Sequence, residues 1–170
     1  MNGAHKYSRV LALHLARRGL AFCQFEAPGA LHDWGIKYIA WRARHEATLG
    51  VVQHLIQRFA PDAIVIEDVS ATGARRSARI CALYREIEGI ADEHGIDLNA
   101  YDWEAVFHVF KARQPRTRHD IAVHVAELLP MIKRRLPPKR RCWLPQDPRQ
   151  SLYDAAALGL SYYAIHGHAE

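Results

Sequence analysis

Apolar and polar residues alternate through the first part of the chain in a way that predicts three short β-strands. The predicted strands run from Ser8 to His14, from Leu20 to Glu26 and from Leu31 to Ala40. Turn sequences at Leu15–Gly19 and Pro28–Gly29 separate them. Because such short connections join antiparallel neighbours, the chain is predicted to begin with a three-stranded meander.

The spacing of apolar residues then changes to the period of an α-helix. A helix is predicted from Ala43 to Phe59 because apolar residues recur there at three- and four-residue steps, at Leu49, Val52, Ile56 and Phe59. Pro61 leads from it into Ala63–Ile66, a wholly apolar run that is typical of a strand buried on both faces. A helix that returns the chain to a buried strand implies a parallel crossover, so the sheet is predicted to be mixed.

The second half of the chain is predicted to be mainly helical. A helix carrying Ile80, Leu83, Ile87 and Ile90 ends near Gly95, and a fifth strand covers Ile96 to Tyr101. A short helix from Glu104 to Phe110 follows, and then a helix capped by Thr117 or its neighbour that continues until Pro130.

The last segments are a loop and a helix. Lys133 to Gln146 is rich in proline and basic residues, which predicts an exposed basic loop. Asp147 and Pro148 have the residue types of an N-cap and a first helical position, and we expect the final helix to run from Arg149 to about His166.

Composition places the chain among intracellular globular proteins. It has 170 residues, the length of one domain, and no apolar run approaches the roughly 20 residues of a membrane helix. The N-terminal residues lack the apolar core of a signal peptide, and the three cysteines do not have the spacing of a zinc site. We therefore expect a cytoplasmic protein with no membrane partner.

Net charge is +5, and the basic residues are clustered. Such clusters favour a polyanionic partner, most often nucleic acid, although a solvated basic face is the alternative. The clusters are Arg17–Arg18, Arg75–Arg76 with Arg79, Lys111–Arg118, Lys133–Arg135 and Lys139–Arg141.

Two acidic residues follow the buried strand directly. Glu67 is the first polar residue after the apolar run and Asp68 comes next, at the strand end where α/β sheets place their ligands. Asp68 is suited to begin the loop and is a reserve ligand. Asp154 lies in the last helix among apolar neighbours, where a charge costs several kcal/mol unless it is paired or bound to metal. Glu67 and Asp154 are therefore candidate metal ligands.

The order of the elements and three short motifs resemble the RuvC family of Holliday-junction resolvases. The motifs are Arg9–His14, Ala63–Glu67 and Tyr153–Gly159, which correspond to a first strand ending in a catalytic acid, a fourth strand ending in Glu and a last helix with an Asp-Ala-x-Ala segment. The resemblance implies one RNase H-like domain over residues 1–170, an α/β fold with a mixed five-stranded sheet flanked by helices.

The resemblance also implies an activity, a cofactor and partners. The family's function is that of a metal-dependent endonuclease for branched DNA such as Holliday junctions, working as a homodimer. Carried over by position, the catalytic residues are His14, Glu67 and Asp154, which are also the expected ligands of Mg²⁺ or Mn²⁺. Asp68 is added as a reserve ligand, because the site has fewer acids than the family pattern. Two such ions assist phosphodiester hydrolysis by activating water and stabilising the leaving oxygen.

Two positions depart from the family pattern. His14 stands where the family has its first-strand acid, and Ser151 stands where it commonly has a second helix acid. Because imidazole binds Mn²⁺ or Zn²⁺ better than Mg²⁺, His14 is consistent with an altered metal preference. A degenerate site, or a histidine with a purely structural role, is the alternative.

Basic and aromatic residues are candidate DNA contacts by the same resemblance. The expected phosphate contacts are Arg18, Arg75, Arg76, Arg79, Lys111, Arg116 and Arg118. Trp103, Phe107 and Trp143 are candidates for stacking on unpaired bases or for packing in the core.

Two other functions remain open at this point. One is an RNase H-like module that binds nucleic acid without catalysis. The other is a nucleotide-handling protein of the wider group, which requires a glycine-rich phosphate loop, whereas Leu15–Gly19 contains one glycine.

Overall fold

A mixed five-stranded sheet forms the centre of the molecule. The computed structural model describes residues 7–40, 42 and 44–167. The sheet has the order β3-β2-β1-β4-β5, with antiparallel pairing among β1 to β3 and parallel pairing of β1 with β4 and of β4 with β5. The predicted meander and mixed sheet are therefore confirmed. The strands are β1 (Val10–Ala16), β2 (Gly19–Ala27), β3 (Ala30–Tyr38), β4 (Ala63–Glu67) and β5 (Asp97–Tyr101).

Helices cover both faces of the sheet. One face packs against the first two helices, and the other packs mainly against the last. The helices are α1 (Arg44–Phe59), α2 (Ala78–Glu93), α3 (Trp103–Val109), α4 (Arg118–Leu128) and α5 (Gln150–His166), with short 3-10 helices at Lys111–Arg113 and Pro130–Arg135. Ala43, the predicted first residue of α1, lies outside the described residues. Of the described helices, none is long and apolar enough to cross a membrane.

Alternation along β1 decides which side chains face the candidate site. Leu11, Leu13 and Leu15 pack in the cluster with α1 and α2, whereas Val10 and Ala12 pack in the cluster with α5. Successive side chains of a strand point to opposite faces, so His14 is directed to the α5 side. β1 also extends to Ala16, two residues beyond its predicted end, so His14 lies inside the strand.

Helix α5 lies very close to the sheet at Gly159. A Cβ atom at that position would come within 2.3 Å of Cε2 of Phe25 on β2, which is too close for any real side chain. Phe25 is fully buried and packs edge-on against Tyr163, with ring centroids 6.0 Å apart. Glycine is therefore required for the depth at which α5 packs.

One predicted helix cap is confirmed and another is wrong. The Thr117 side chain accepts a hydrogen bond from the Asp120 N–H and Asp120 returns one to the Thr117 N–H, which is a complete capping box for α4. Asp147 does not cap α5, because its carboxylate accepts from the backbone and side chain of Arg149, two residues further on. That local turn places the start of α5 at Gln150.

Candidate active site

Three predicted site residues meet at one edge of the sheet. Nε2 of His14 lies 3.6 Å from Oε2 of Glu67 and 3.6 Å from Oδ2 of Asp154. β1 and β4 pair in parallel with Ala12 opposite Val65, so the residues two positions further along each strand, His14 and Glu67, are neighbours. Their side chains are 4% and 3% exposed, and that of Asp154 is 2% exposed. The charges of this cluster are therefore removed from bulk water.

Ser151 determines the orientation of the His14 ring. Nδ1 of His14 lies 2.6 Å from Oγ of Ser151, which also lies 3.4 Å from the His14 carbonyl oxygen. When the Ser151 hydroxyl donates to that carbonyl, it accepts a hydrogen bond from the Nδ1–H of His14, and the lone pair of Nε2 points at the two carboxylates. When the hydroxyl donates to Nδ1, the proton is on Nε2 instead. The two residues that depart from the family pattern are thus direct partners.

Burial has opposite effects on the two kinds of group in the cluster. It lowers the pKa of His14 well below its ordinary value, and the positive charges of Arg76 and Arg118 lower it further, so the imidazole is neutral at pH 7. Burial raises the pKa of Asp154 to about 6, against the opposing effects of Arg118 and the hydrogen bond from Gln150. A perturbed carboxyl beside a neutral imidazole is typical of a functional site.

Two arginines lie against the carboxylates. Nε of Arg76 is 3.4 Å from Oε2 of Glu67, and Arg76 also donates to the Leu15 carbonyl. Arg118, the first residue of α4, bridges the two acids at 3.7 Å from Glu67 and 3.5 Å from Asp154. Two guanidinium charges therefore offset two carboxylate charges, and both arginines were predicted as phosphate contacts.

Trp103 and Gln150 each hold one oxygen of a carboxylate. The indole N–H of Trp103 donates to Oε1 of Glu67 at 3.1 Å, and the Arg118 guanidinium lies 3.9 Å from the centre of the same indole ring. The Gln150 amide donates to Oδ1 of Asp154 at 3.0 Å. In both acids the second oxygen is left to face the centre of the cluster.

Sequence reasoning missed these two positioning roles. Trp103 was assigned only to base stacking or core packing, although it begins α3 directly after β5, the strand beside β4. Gln150 lies four residues before Asp154, the spacing at which helical side chains meet, and that was the available signal.

The remaining predicted residues lie around this cluster. Asp68 faces its own loop, where its Oδ1 accepts hydrogen bonds from the backbone and hydroxyl of Ser70. Arg18 lines a cavity that opens beside His14. Arg79 is close enough to Arg44 and Arg76 that burial and those two charges lower its pKa. Exposed positions are occupied by Arg75, Lys111 and Arg116.

The donor atoms of the cluster lie near the spacing that one divalent cation requires. Buried atoms without a hydrogen-bond partner include His14 Nε2, Glu67 Oε2 and Asp154 Oδ2. Ligand atoms about 2.1 Å from a shared ion lie roughly 3 to 3.5 Å apart, close to the 3.6 Å separations seen here. Within the described ranges, however, no three His, Cys, Asp or Glu side chains form a ready-made metal cage. One nitrogen and two carboxylates suit one ion better than two.

Comparison with solved structures identifies the fold. The sequence matches no family model and no curated protein. Thermus thermophilus RuvC is similar, with a TM-score of 0.64 and 20% identity over 94% of this chain and 96% of that one. T. thermophilus RuvC in complex with a Holliday junction substrate has a TM-score of 0.63 and 18% identity over 95% and 97%.

A second resolvase has the same architecture. The yeast mitochondrial Holliday junction resolvase Ydc2 is 13% identical, with a TM-score of 0.63 over 95% of this chain and 81% of that one. The predicted mixed five-stranded sheet flanked by helices is thus confirmed. The chain has the RNase H-like fold of RuvC.

Proposed function

We propose that this protein binds branched DNA, such as a Holliday junction, and cuts it as a divalent-cation-dependent endonuclease. The observation that carries the proposal is the convergence of His14, Glu67 and Asp154, all buried, at one edge of the sheet. The similarity in fold to RuvC, which has been solved with a Holliday junction substrate, supports the choice of DNA.

The cluster supplies the ligands that this reaction needs. Glu67, Asp154 and His14 would hold Mg²⁺ or Mn²⁺, which would act as a Lewis acid on the phosphate and lower the pKa of water. Trp103 and Gln150 keep the two carboxylates oriented, and Ser151 keeps the imidazole directed at them. The chain's own contribution is a rigid, largely dry arrangement in which ligand oxygens need no reorganisation.

Arg76 and Arg118 connect DNA binding to the charge of the site. Each guanidinium lies 3.4 to 3.7 Å from a carboxylate and is partly exposed, at 20% for Arg76 and 34% for Arg118. A DNA phosphate competes with the carboxylates for these guanidinium groups, because arginine binds both anions in the same geometry. An arginine that moves to phosphate leaves a carboxylate uncompensated, which favours cation binding there.

Cleavage of a four-way junction tests the proposal. We expect nicking by the wild type in Mn²⁺, and more in Mn²⁺ than in Mg²⁺ if His14 is a ligand. Glu67→Gln should abolish nicking while junction binding remains. Asp68→Asn is the matched control, since it changes the adjacent acid, which bonds to Ser70. A wild type that binds junctions and cuts none with any divalent cation would refute the endonuclease.

A binding module without catalysis is the second candidate. It is favoured by the pairing of both carboxylates with arginines and by the uncharged residues His14 and Ser151. This function predicts junction binding that is sensitive to salt and unchanged by EDTA. Calorimetry distinguishes the two, because the endonuclease must bind Mn²⁺ with a heat that Glu67→Gln removes.

A homodimer is part of the proposal. Two copies related by a two-fold axis place two identical sites on two symmetry-related strands of a junction. Sedimentation of the protein alone and with junction DNA measures the state, and a single copy bound to each junction would contradict it.

The cytoplasm is the compartment we propose for this activity. Cys23, Cys81 and Cys142 are free thiols, as expected where disulfides are kept reduced. Fluorescence from a tagged full chain checks the location.

A further inference from the structure

A cavity of about 400 Å³ extends from His14 and Asp154 to β3, the outer strand of the sheet. His14 and Asp154 lie at its inner end, and Ile36 and Tyr38 of β3 form the wall at its outer end. The segment Pro145–Pro148 also lines it. The cavity therefore joins the candidate active site to an apolar surface on a different strand.

Strand pairing explains why space exists there. His14 is paired with Ala21 and Ala21 with Ile36, while Ala16 is paired with Gly19 and Gly19 with Tyr38, so two rows of residues cross the three strands. Directly paired residues point to the same face, and the middle member of each row is small. Neighbouring strands lie about 4.8 Å apart, so the outer wall stands roughly 10 Å from β1.

Gly19 cannot be replaced without loss of this arrangement. A Cβ atom there would lie 2.0 Å from the Lys37 carbonyl oxygen. The hairpin of β2 and β3 is tied further by a hydrogen bond of 3.0 Å from the Ile39 N–H to the Arg18 carbonyl. Backbone contacts therefore fix the space between His14 and Tyr38.

The lining combines arginine side chains with an exposed aromatic ring. Four arginines surround the cavity with positive charge. Two lie in the turn between β1 and β2, Arg17 and Arg18, and two lie at the inner end, Arg76 and Arg118. Tyr38 is 65% exposed, so one face of its ring is available for stacking. Phosphate binding beside an aromatic platform is the usual chemistry of single-stranded nucleic acid sites.

We propose that this cavity receives the base of one unpaired nucleotide of DNA, whose phosphate lies at the guanidinium groups of Arg76 and Arg118. The inference rests on the proposed function and names a part of the substrate. The base stacks on Tyr38 and contacts Ile36, and the Gln146 side chain supplies the hydrogen-bonding group that meets the base edge. A paired base cannot reach the cavity without leaving its helix, so the site selects DNA that is distorted or unpaired.

The test compares two DNA duplexes that differ in one group. Each carries a single unpaired nucleotide, which has its base in one duplex and is abasic in the other. Fluorescence anisotropy in EDTA gives both affinities without cleavage. The wild type is expected to bind the duplex with the base about tenfold more tightly, Tyr38→Ala to lose this preference and Tyr38→Phe to retain it.

Trp143→Ala tests the competing platform, because the sequence also offers Trp143 for stacking on unpaired bases. Trp143 is also exposed, at 72%, and its ring lies 5.7 Å from the Arg141 guanidinium, but it is not among the residues that line the cavity. We expect this variant to keep the preference. The proposal is overturned if Tyr38→Ala keeps the full preference, if Trp143→Ala removes it, or if the wild type does not distinguish the two duplexes.

The outcome is separable from that of the proposed endonuclease. Base preference is read from binding in EDTA, whereas cleavage requires a metal and Glu67. If Tyr38→Ala loses the base preference and the wild type never cuts DNA, the base site is supported and the endonuclease is refuted. If the wild type cuts junctions and Tyr38→Ala keeps the preference, the endonuclease is supported and the base site is refuted.

Discussion

Ser151 and His14 form a buried hydrogen-bonded pair between α5 and β1, with 2.6 Å between Oγ and Nδ1. Both positions are acidic in the family that the chain resembles, and here both are uncharged at pH 7. A hydrogen bond to the far nitrogen of an imidazole fixes the direction of the ring, as it does around histidines that bind metals. The pair therefore acts as one unit that directs Nε2 at Glu67 and Asp154.

Removal of the serine hydroxyl should disturb this unit. In Ser151→Ala we expect Mn²⁺ affinity and junction cleavage to fall 10- to 100-fold, with a loss of about 1 kcal/mol in the free energy of unfolding. Calorimetry and urea denaturation measure the two effects. Ser161→Ala is the control, because Ser161 is buried on the same helix and donates to the Ala157 carbonyl. Wild-type Mn²⁺ affinity in Ser151→Ala would mean that the hydroxyl has only a packing role.

Replacement of the imidazole by a carboxylate should change the preferred metal. His14→Asp supplies an oxygen ligand, which Mg²⁺ prefers, but it also adds a third acid to a buried cluster. We expect lower stability in EDTA, recovery of the melting temperature on addition of Mg²⁺, and a higher ratio of Mg²⁺ to Mn²⁺ activity than in the wild type.

His14→Asn is the control for that experiment, because it changes the shape of residue 14 without adding charge. It should show no thermal response to Mg²⁺. If both variants respond to Mg²⁺ as the wild type does, residue 14 is not a ligand.

The two contacts of Trp103 can be separated by mutation. Trp103→Phe loses the N–H that donates to Glu67 and keeps a ring for Arg118, and we expect a cost of about 1 to 3 kcal/mol for the buried carboxylate oxygen that loses its hydrogen bond. Trp103→Leu loses both contacts and should cost more. Chemical denaturation measures these values, with the exposed Trp143→Phe as a control that should stay within about 0.5 kcal/mol of wild type. Equal stability of Trp103→Phe and wild type would show that the hydrogen bond contributes nothing.

Asp154 should make stability depend on pH. Its pKa is about 6 in the folded protein against an ordinary value of 3.8, so between these values the folded state holds more protons than the unfolded state. Stability must therefore fall as pH rises through this window, by on the order of 3 kcal/mol in total. Asp154→Asn lacks this loss, and we expect it to be more stable than wild type at pH 7 and of similar stability near pH 4.

Thermal unfolding in EDTA between pH 4 and pH 8 checks this expectation. The low pKa of His14 gives the opposite dependence, because its neutral form must be protonated in acid, and His14 contacts Asp154. Repeating the comparison with His14→Asn in both proteins removes that contribution. A gap between the two proteins that is the same at every pH would contradict the role given to Asp154.

The fold could be predicted because its elements follow local patterns. Alternating residues indicated β1 to β3, and the apolar run before Glu67 indicated the buried central strand. The ends of the strands were predicted less accurately. Leu15 and Ala16 extend β1 because they pair with Leu20 and Gly19, and a local pattern does not show such pairing.

The acids of the site could be predicted because charged residues are unexpected in buried segments. Glu67 and Asp154 stand out because an acid follows or interrupts an apolar segment. The contacts of Arg76 and Arg118 with these acids depend on tertiary structure. The sequence indicated only that basic residues lie at the same end of the sheet as the acids. The predicted N-cap at Asp147 was wrong, because the Asp147 side chain accepts hydrogen bonds from Arg149, two residues away.

The close contact at Gly159 links the core to chemistry more than one helical turn away. Asp154 and Ser151 reach His14 only because α5 lies at its present depth, and the hydrogen atom at residue 159 is what permits that depth against Phe25. An added methyl group would lift the helix away from the strand, withdrawing the acid and the serine together. The spacing between α5 and β2 is thus itself a determinant of the site, and it is set by a residue that has no side chain.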